Sequence, residues 1–118
     1  MTTSDVITKC DRIKPNEYSY GQKREWLNKI ESEIRQYASM YSGKNADLSY
    51  TNVENPVLFL DDIYMDIYLY YIISMIDLSN QEYALYNNSS SFYNDRLRNW
   101  QKKYRRENMP ECNVSINL

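Results

Sequence analysis

From Ile63 to Leu78 the chain reads IYMDIYLYYIISMIDL, a helix-forming stretch that is apolar almost all the way round. A helix with that pattern has to bury nearly its whole surface. Polar groups are confined to a thin stripe of Asp62, Asp66 and Asp77, with Ser74 less squarely on it. The chain has 118 residues, which is one domain, and buries roughly two-thirds of its unfolded surface by the usual size scaling. Little other surface is left to cover this rod. Burial against neighbouring subunits is therefore expected, and with it an assembly component rather than an enzyme.

Helical spacing recurs on both sides of the rod. Ser4 to Ile13 is a short helix with Ser4 as cap and Val6, Cys10 and Ile13 on one face; Lys14-Pro15 stops it, because a residue before proline avoids helical angles. Ser19 and Gln22 form a capping box for a second helix. Along that helix Trp26, Ile30, Ile34, Tyr37 and Tyr41 recur on one face, widened by Leu27 and Ala38, with Lys29, Glu33 and Gln36 opposite. Ser42-Gly43 ends it, Gly43 being free to adopt the left-handed cap. The third helix begins near Asp61, where Asp61 and Asp62 suit the positive end of the helix dipole. Ser79 to Glu82 reads as another capping box, so a fourth helix starts almost at once, either antiparallel to the third or at a sharp elbow. Its stripe is Tyr86, Ser89, Tyr93, Leu97, Trp100 and Tyr104, and Pro110 halts it.

Two segments are not helical. Between 44 and 60, Leu48 to Thr51 and Val57 to Phe59 flank a turn-like Asn52 to Pro56, which fits a small hairpin or an ordered loop. Beyond Pro110, Val114, Ile116 and Leu118 alternate with polar residues, as in a strand with one buried face. Such a tail is either frayed or adds to another subunit. The expected fold is all-α: a bundle of about four helices over residues 1–108, a loop or hairpin at 44–60, and an extended arm at 109–118.

Two glycines and three prolines are too few for a β-sandwich. Thirteen tyrosines against two phenylalanines suit half-wet interfaces, although a tyrosine-rich core reads equally from the same residues. The net charge of −2 hides a gradient. Residues 1–44 carry +2, residues 45–95 carry eight acidic and no basic side chains, and residues 96–118 carry +4. An acidic middle beside a basic end suits complementary subunit faces, a surface lining the path of a polyanion, or simply a solvated face.

Catalytic chemistry has little to stand on. There is no histidine, the commonest general base and metal ligand. Cys10 and Cys112 match no zinc pattern and, after an opening without an apolar leader core, are expected as free thiols of a reducing cytoplasm. Asp61, Asp62 and Asp66 cluster at a helix start, which their capping role already explains; no metal or cofactor is expected. The uncharged run Ile67 to Ile76 is too short to span a membrane. Arg96, Arg98, Lys102, Lys103, Arg105 and Arg106 form the strongest charged feature. They read as a solvated face, a dock for an acidic partner, or a phosphate-binding patch without any groove-reading motif.

At these residues the chain resembles the head–tail adaptor (connector, or head completion) proteins of long-tailed bacteriophages and prophages. Asp11 to Ser19, then Lys23 and Trp26-Leu27, are similar to the family's N-terminal signature. Asp61-Asp62-Ile63-Tyr64, Ile76-Asp77, Glu82-Tyr83, Tyr86 to Ser89 and Asn108-Met109-Pro110 resemble its C-terminal half in order and spacing. The family usually turns between its last two helices at Asn-Gly, where this chain has Asn80-Gln81. The resemblance implies a structural virion protein in the neck, made in the host cytoplasm. It implies a ring, commonly a dodecamer, docked under the portal protein, which extends the DNA channel and receives the next neck or tail completion protein. DNA passes through without specific binding, and no membrane is involved. Expected subunit or portal contacts are Tyr68, Tyr71, Tyr93, Trp100, Tyr104, Arg105 and Arg106, with Val114, Ile116 and Leu118 of the arm; expected channel-facing acids are Asp62, Asp66 and Asp77. On the residues alone, a small helical partner-binding or regulatory protein, or a weak DNA binder using the basic last helix, stays open.

Overall fold

Local hydrogen bonding fixes where each helix begins and ends. The computed structural model describes residues 1–43 and 45–108. Helix α1 spans Thr3–Ile13. Its cap is Thr2 rather than Ser4, because Asp5 stands where it can complete a reciprocal box: Thr2 Oγ1 accepts from the Asp5 N–H at 3.3 Å, and Asp5 Oδ2 accepts from the Thr2 N–H at 2.9 Å. The Ser4 N–H donates instead to Asn55 Oδ1. Val6, Ile7 and Cys10 are buried, whereas Ile13 at the helix end is exposed. Helix α2, Tyr20–Ser42, is capped by Ser19, which accepts from the Gln22 N–H at 3.1 Å. The Gln22 side chain turns toward Glu25 and does not close the box. Gly43 adopts the left-handed region (φ 73°) and ends the helix as its sequence suggests. Leu27, Ile30, Ile34 and Ala38 are buried along one face, with Trp26 and Tyr37 on its flanks.

The 45–60 segment forms no hairpin. It holds a 3-10 turn, Ser49–Asn52, and one antiparallel bridge between Val57 and Thr2. Arginines of α2 take its carbonyls. Arg24 donates to the carbonyls of Val53 and Glu54, and Arg35 to those of Asp47 and Val57. The second run pairs instead with the start of the chain, where the Thr3 N–H donates to the Pro56 carbonyl and the Leu58 N–H to that of Met1. Tyr50, Leu58 and Leu60 anchor the segment in the core.

A 3-10 turn, Asp62–Tyr64, leads into α3, Met65–Ser79. Ile67, Tyr68, Leu69, Ile72, Ile73 and Ile76 are all buried within the single chain. The expectation that this rod needs sister copies to cover it is therefore corrected. Helices α1 and α2 close on one side of it and α4, Tyr83–Glu107, on the other. Helix α4 is long enough to do so because 25 residues extend about 37 Å. The pair runs antiparallel: Tyr70 stacks on Phe92, Tyr71 meets Tyr93 edge-on at 5.1 Å, and Arg96 reaches toward Asp66. The inward side of α4 is the stripe read from the sequence. Ser89 and Trp100 are buried, and Tyr86, Tyr93, Leu97 and Tyr104 are half-buried. The described residues thus form an all-α bundle of four helices.

The join between α3 and α4 is not a capping box on Ser79. The Glu82 N–H donates to the Asp77 carbonyl and the Gln81 N–H to that of Leu78, the Schellman pattern. It places Gln81 at φ 60°, a left-handed conformation that costs a residue with a Cβ about 1–2 kcal/mol. Replacing Gln81 with glycine removes that cost but adds freedom to the unfolded chain. Gln81→Gly is expected to raise stability by about 0.5–1 kcal/mol, read as a higher urea midpoint at unchanged slope. An unchanged or lower midpoint would show that the turn carries no relievable strain.

Candidate functional site

Two buried carboxylates dominate the interior. Glu31 is fully buried and accepts from Arg35 Nε at 2.9 Å, from the Phe59 N–H at 2.7 Å and from the Tyr68 hydroxyl. The Tyr68 hydroxyl also accepts from the Leu60 N–H. Burial first, and the Glu31 charge second, push the Tyr68 phenol far above its usual range, so it stays a donor. Asp77 is the second. It pairs with Lys14, which crosses from the end of α1, and accepts from Ser89 Oγ of α4 at 2.8 Å. Both clusters are closed and fully partnered, and they hold elements together. Among the described residues no group of three or more His, Cys, Asp or Glu side chains could hold a metal ion.

A groove of about 320 Å³ with aromatic walls lies where the 59–64 segment meets the end of α4. Phe59, Ile63, Tyr64, Trp100 and Tyr104 line it, with Lys103 and Glu107 at its rim. Its aromatic wall is continuous: Phe59 lies 6.5 Å from Trp100 and 6.3 Å from Tyr104, and Trp100 lies 5.1 Å from Tyr104. Ile63 is 76% exposed, the most exposed large apolar side chain among the described residues.

The candidate interface residues divide between interior and surface. Tyr68 is a core residue enclosed by this chain's own helices, not an outward contact, whereas the largely buried Trp100 also lines the groove. Tyr71 and Tyr93 face each other inside the α3–α4 hairpin and are half-buried. Tyr104 is half-buried at the groove, and Arg105 and Arg106 are exposed beside it. Asp62 and Asp66 are exposed; Asp62 accepts from the Met1 amino group at 2.8 Å. Asp77 is buried and cannot face a channel, because Lys14 and Ser89 hold it inward. Val114, Ile116 and Leu118 lie outside the described residues.

Glu31, Arg35, Phe59 and Ile63 carry much of this arrangement, and sequence reasoning did not single them out. A signal existed for the first. Glu31 sits four residues after Leu27 and three before Ile34, on the apolar stripe itself, with Arg35 one turn on.

Cys10 is buried, and burial foremost pushes its thiol up to about 11. At pH 8 about one thiol in a thousand is then ionised, so native Cys10 is expected to resist alkylation that proceeds readily in urea. Rapid modification of Cys10 in the folded chain, located by peptide mass, would contradict this burial.

No helix among the described residues is long and apolar enough to cross a membrane. Comparison with models of protein families, with curated proteins and with solved structures finds no match for this chain.

Proposed function

We propose that this chain is a structural head–tail adaptor of a long-tailed phage or prophage. Copies form a ring under the portal, extend the DNA channel and receive the next neck or tail protein. One observation carries the reading. Several of the residues that resemble the family, from the N-terminal signature and from the α3–α4 join, are far apart in sequence yet meet in space. Lys23 pairs with Asp11 at 2.7 Å and donates to Asn16. Tyr18 packs edge-on against Trp26 and donates to Asn80 at 2.6 Å. Lys14 ties the N-terminal signature to Asp77, with Glu82 4.0 Å away, and Ser89 completes that cluster. An ordered set of residues that builds one framework is better support for kinship than the same residues scattered without contact.

The exposed acids Asp62 and Asp66 suit a channel wall, where like charge keeps DNA from adhering. The exposed Arg105 and Arg106 suit an acidic face of the portal or of a neighbouring copy. Imaging of purified particles tests the ring directly: density for a ring of this chain beneath the portal is expected. Particles that contain a neck but lack this polypeptide would end the proposal.

The exposed basic end of α4 favours a second reading, weak DNA binding. That reading requires retardation of DNA at low salt, falling steeply as salt rises and lost in Arg105→Ala with Arg106→Ala. Absence of retardation at low salt eliminates it.

A further inference from the structure

The groove at the end of α4 is aromatic on its walls, open to solvent, and edged by the protruding Ile63. Asn108, the last described residue, lines it, so residues 109–118 begin beside the groove. Beyond it the sequence places Val114, Ile116 and Leu118 at every second position. In an extended chain these three share one face. Reach then decides which groove they fill. Fully extended, at about 3.3 Å per residue, the arm would put Val114 about 20 Å from Asn108. The groove follows α4 only from Trp100 to Asn108, about 12 Å of helix. An arm extended from Asn108 thus carries its apolar residues past the groove it leaves. Strand addition offers them no place, because the only bridge among the described residues joins Thr2 and Val57. An apolar trough that takes alternate side chains does.

We propose that this groove receives Val114, Ile116 and Leu118 from a neighbouring copy of the chain. The proposal rests on the ring reading and deepens it. The groove of one copy holds the arm of the next, and a head-to-tail contact of this kind closes into a ring when its rotation allows.

Disulfide trapping in the full chain tests it. Ile63→Cys places a thiol at the groove, Cys112 supplies the arm's own, and buried Cys10 does not compete. Mild oxidation at high protein concentration is expected to give covalent dimers and longer adducts, several-fold above an Asn88→Cys control on the exposed face of α4. Ile116→Asp with Leu118→Asp should return the yield to that of the control. A disulfide within single chains would put the arm in its own groove and overturn the proposal, as would a yield equal to the control.

A second measurement needs no assembly. A peptide of residues 109–118, added to the full chain carrying Ile116→Asp and Leu118→Asp, is expected to shift tryptophan fluorescence saturably. Ile63→Asp, at an exposed position that leaves folding intact, should abolish the shift. No shift in the Ile116→Asp, Leu118→Asp chain with Ile63 intact overturns the proposal. Adducts without a ring in particles would sink the ring reading alone; a ring without adducts would sink this contact alone.

Discussion

Glu31→Ala is expected to cost the fold about 3–5 kcal/mol, the largest loss for a single substitution away from the apolar core. The carboxylate is fully buried, and three donors converge on it from three parts of the chain: Arg35 of α2, the Phe59 amide of the connecting segment, and Tyr68 of α3. Alanine leaves the Phe59 N–H and the Tyr68 hydroxyl without their acceptor, and an unmet buried donor costs about 1–3 kcal/mol. It also leaves Arg35, only 15% exposed at its side chain, without its counter-charge. Small domains have only about 5–15 kcal/mol in total, so the variant should unfold well below the parent in urea. Glu31→Gln is the informative companion. It keeps one oxygen, which can accept from the Phe59 N–H, but puts an NH2 where the Tyr68 hydroxyl now donates and loses the charge, so about 1–3 kcal/mol is expected. Equal urea midpoints for Glu31→Ala and the parent would mean that the network is not what holds the 45–60 segment to the bundle. Because that segment forms one wall of the aromatic groove, Glu31→Gln should also weaken peptide binding there more than its stability loss alone suggests.

Asp77→Ala is the second large effect, about 2–3 kcal/mol. The carboxylate is buried and joins the end of α1, through Lys14, to α4, through Ser89. Lys14 is partly exposed and can turn to water, which keeps the cost below that of Glu31. Asp66→Ala is the control. Its only ion-pair partner among the described residues is Arg96 at 3.9 Å, and both side chains are well exposed, so about 0.5 kcal/mol or less is expected. The pair of measurements separates two roles that look alike in sequence. If Asp77→Ala were as mild as Asp66→Ala, Asp77 would have to be a surface acid, contrary to its contacts here. Thermal or urea unfolding at neutral pH is sufficient, with circular dichroism as the readout.

The two aspartates also show where sequence reasoning stops. On a helical wheel Asp66 and Asp77 lie on one thin polar stripe of α3, and the stripe is real. What a stripe does not tell is whether its far end lies under another element. Lys14 at the end of α1 and Ser89 of α4 close over Asp77, whereas Asp66 meets the exposed Arg96 at 3.9 Å and stays open to water, so one is core and the other surface. The same holds for α3 as a whole. Its composition demanded burial, and burial is found; the cover is α1, α2 and α4 of the same chain.

The amino-acid sequence by itself determined the helices, the stop at Gly43, the cap at Ser19 and the inward stripe of α4 from Tyr86 to Tyr104. Those features depend on partners within about four residues, and periodicity reports them directly. Only the tertiary structure decided that Glu31 serves Phe59 and Tyr68, and that Phe59, Ile63 and Trp100 meet in a groove. Such partners stand up to dozens of residues apart, and which of them meet is settled by how whole helices pack rather than by the spacing of any one stretch.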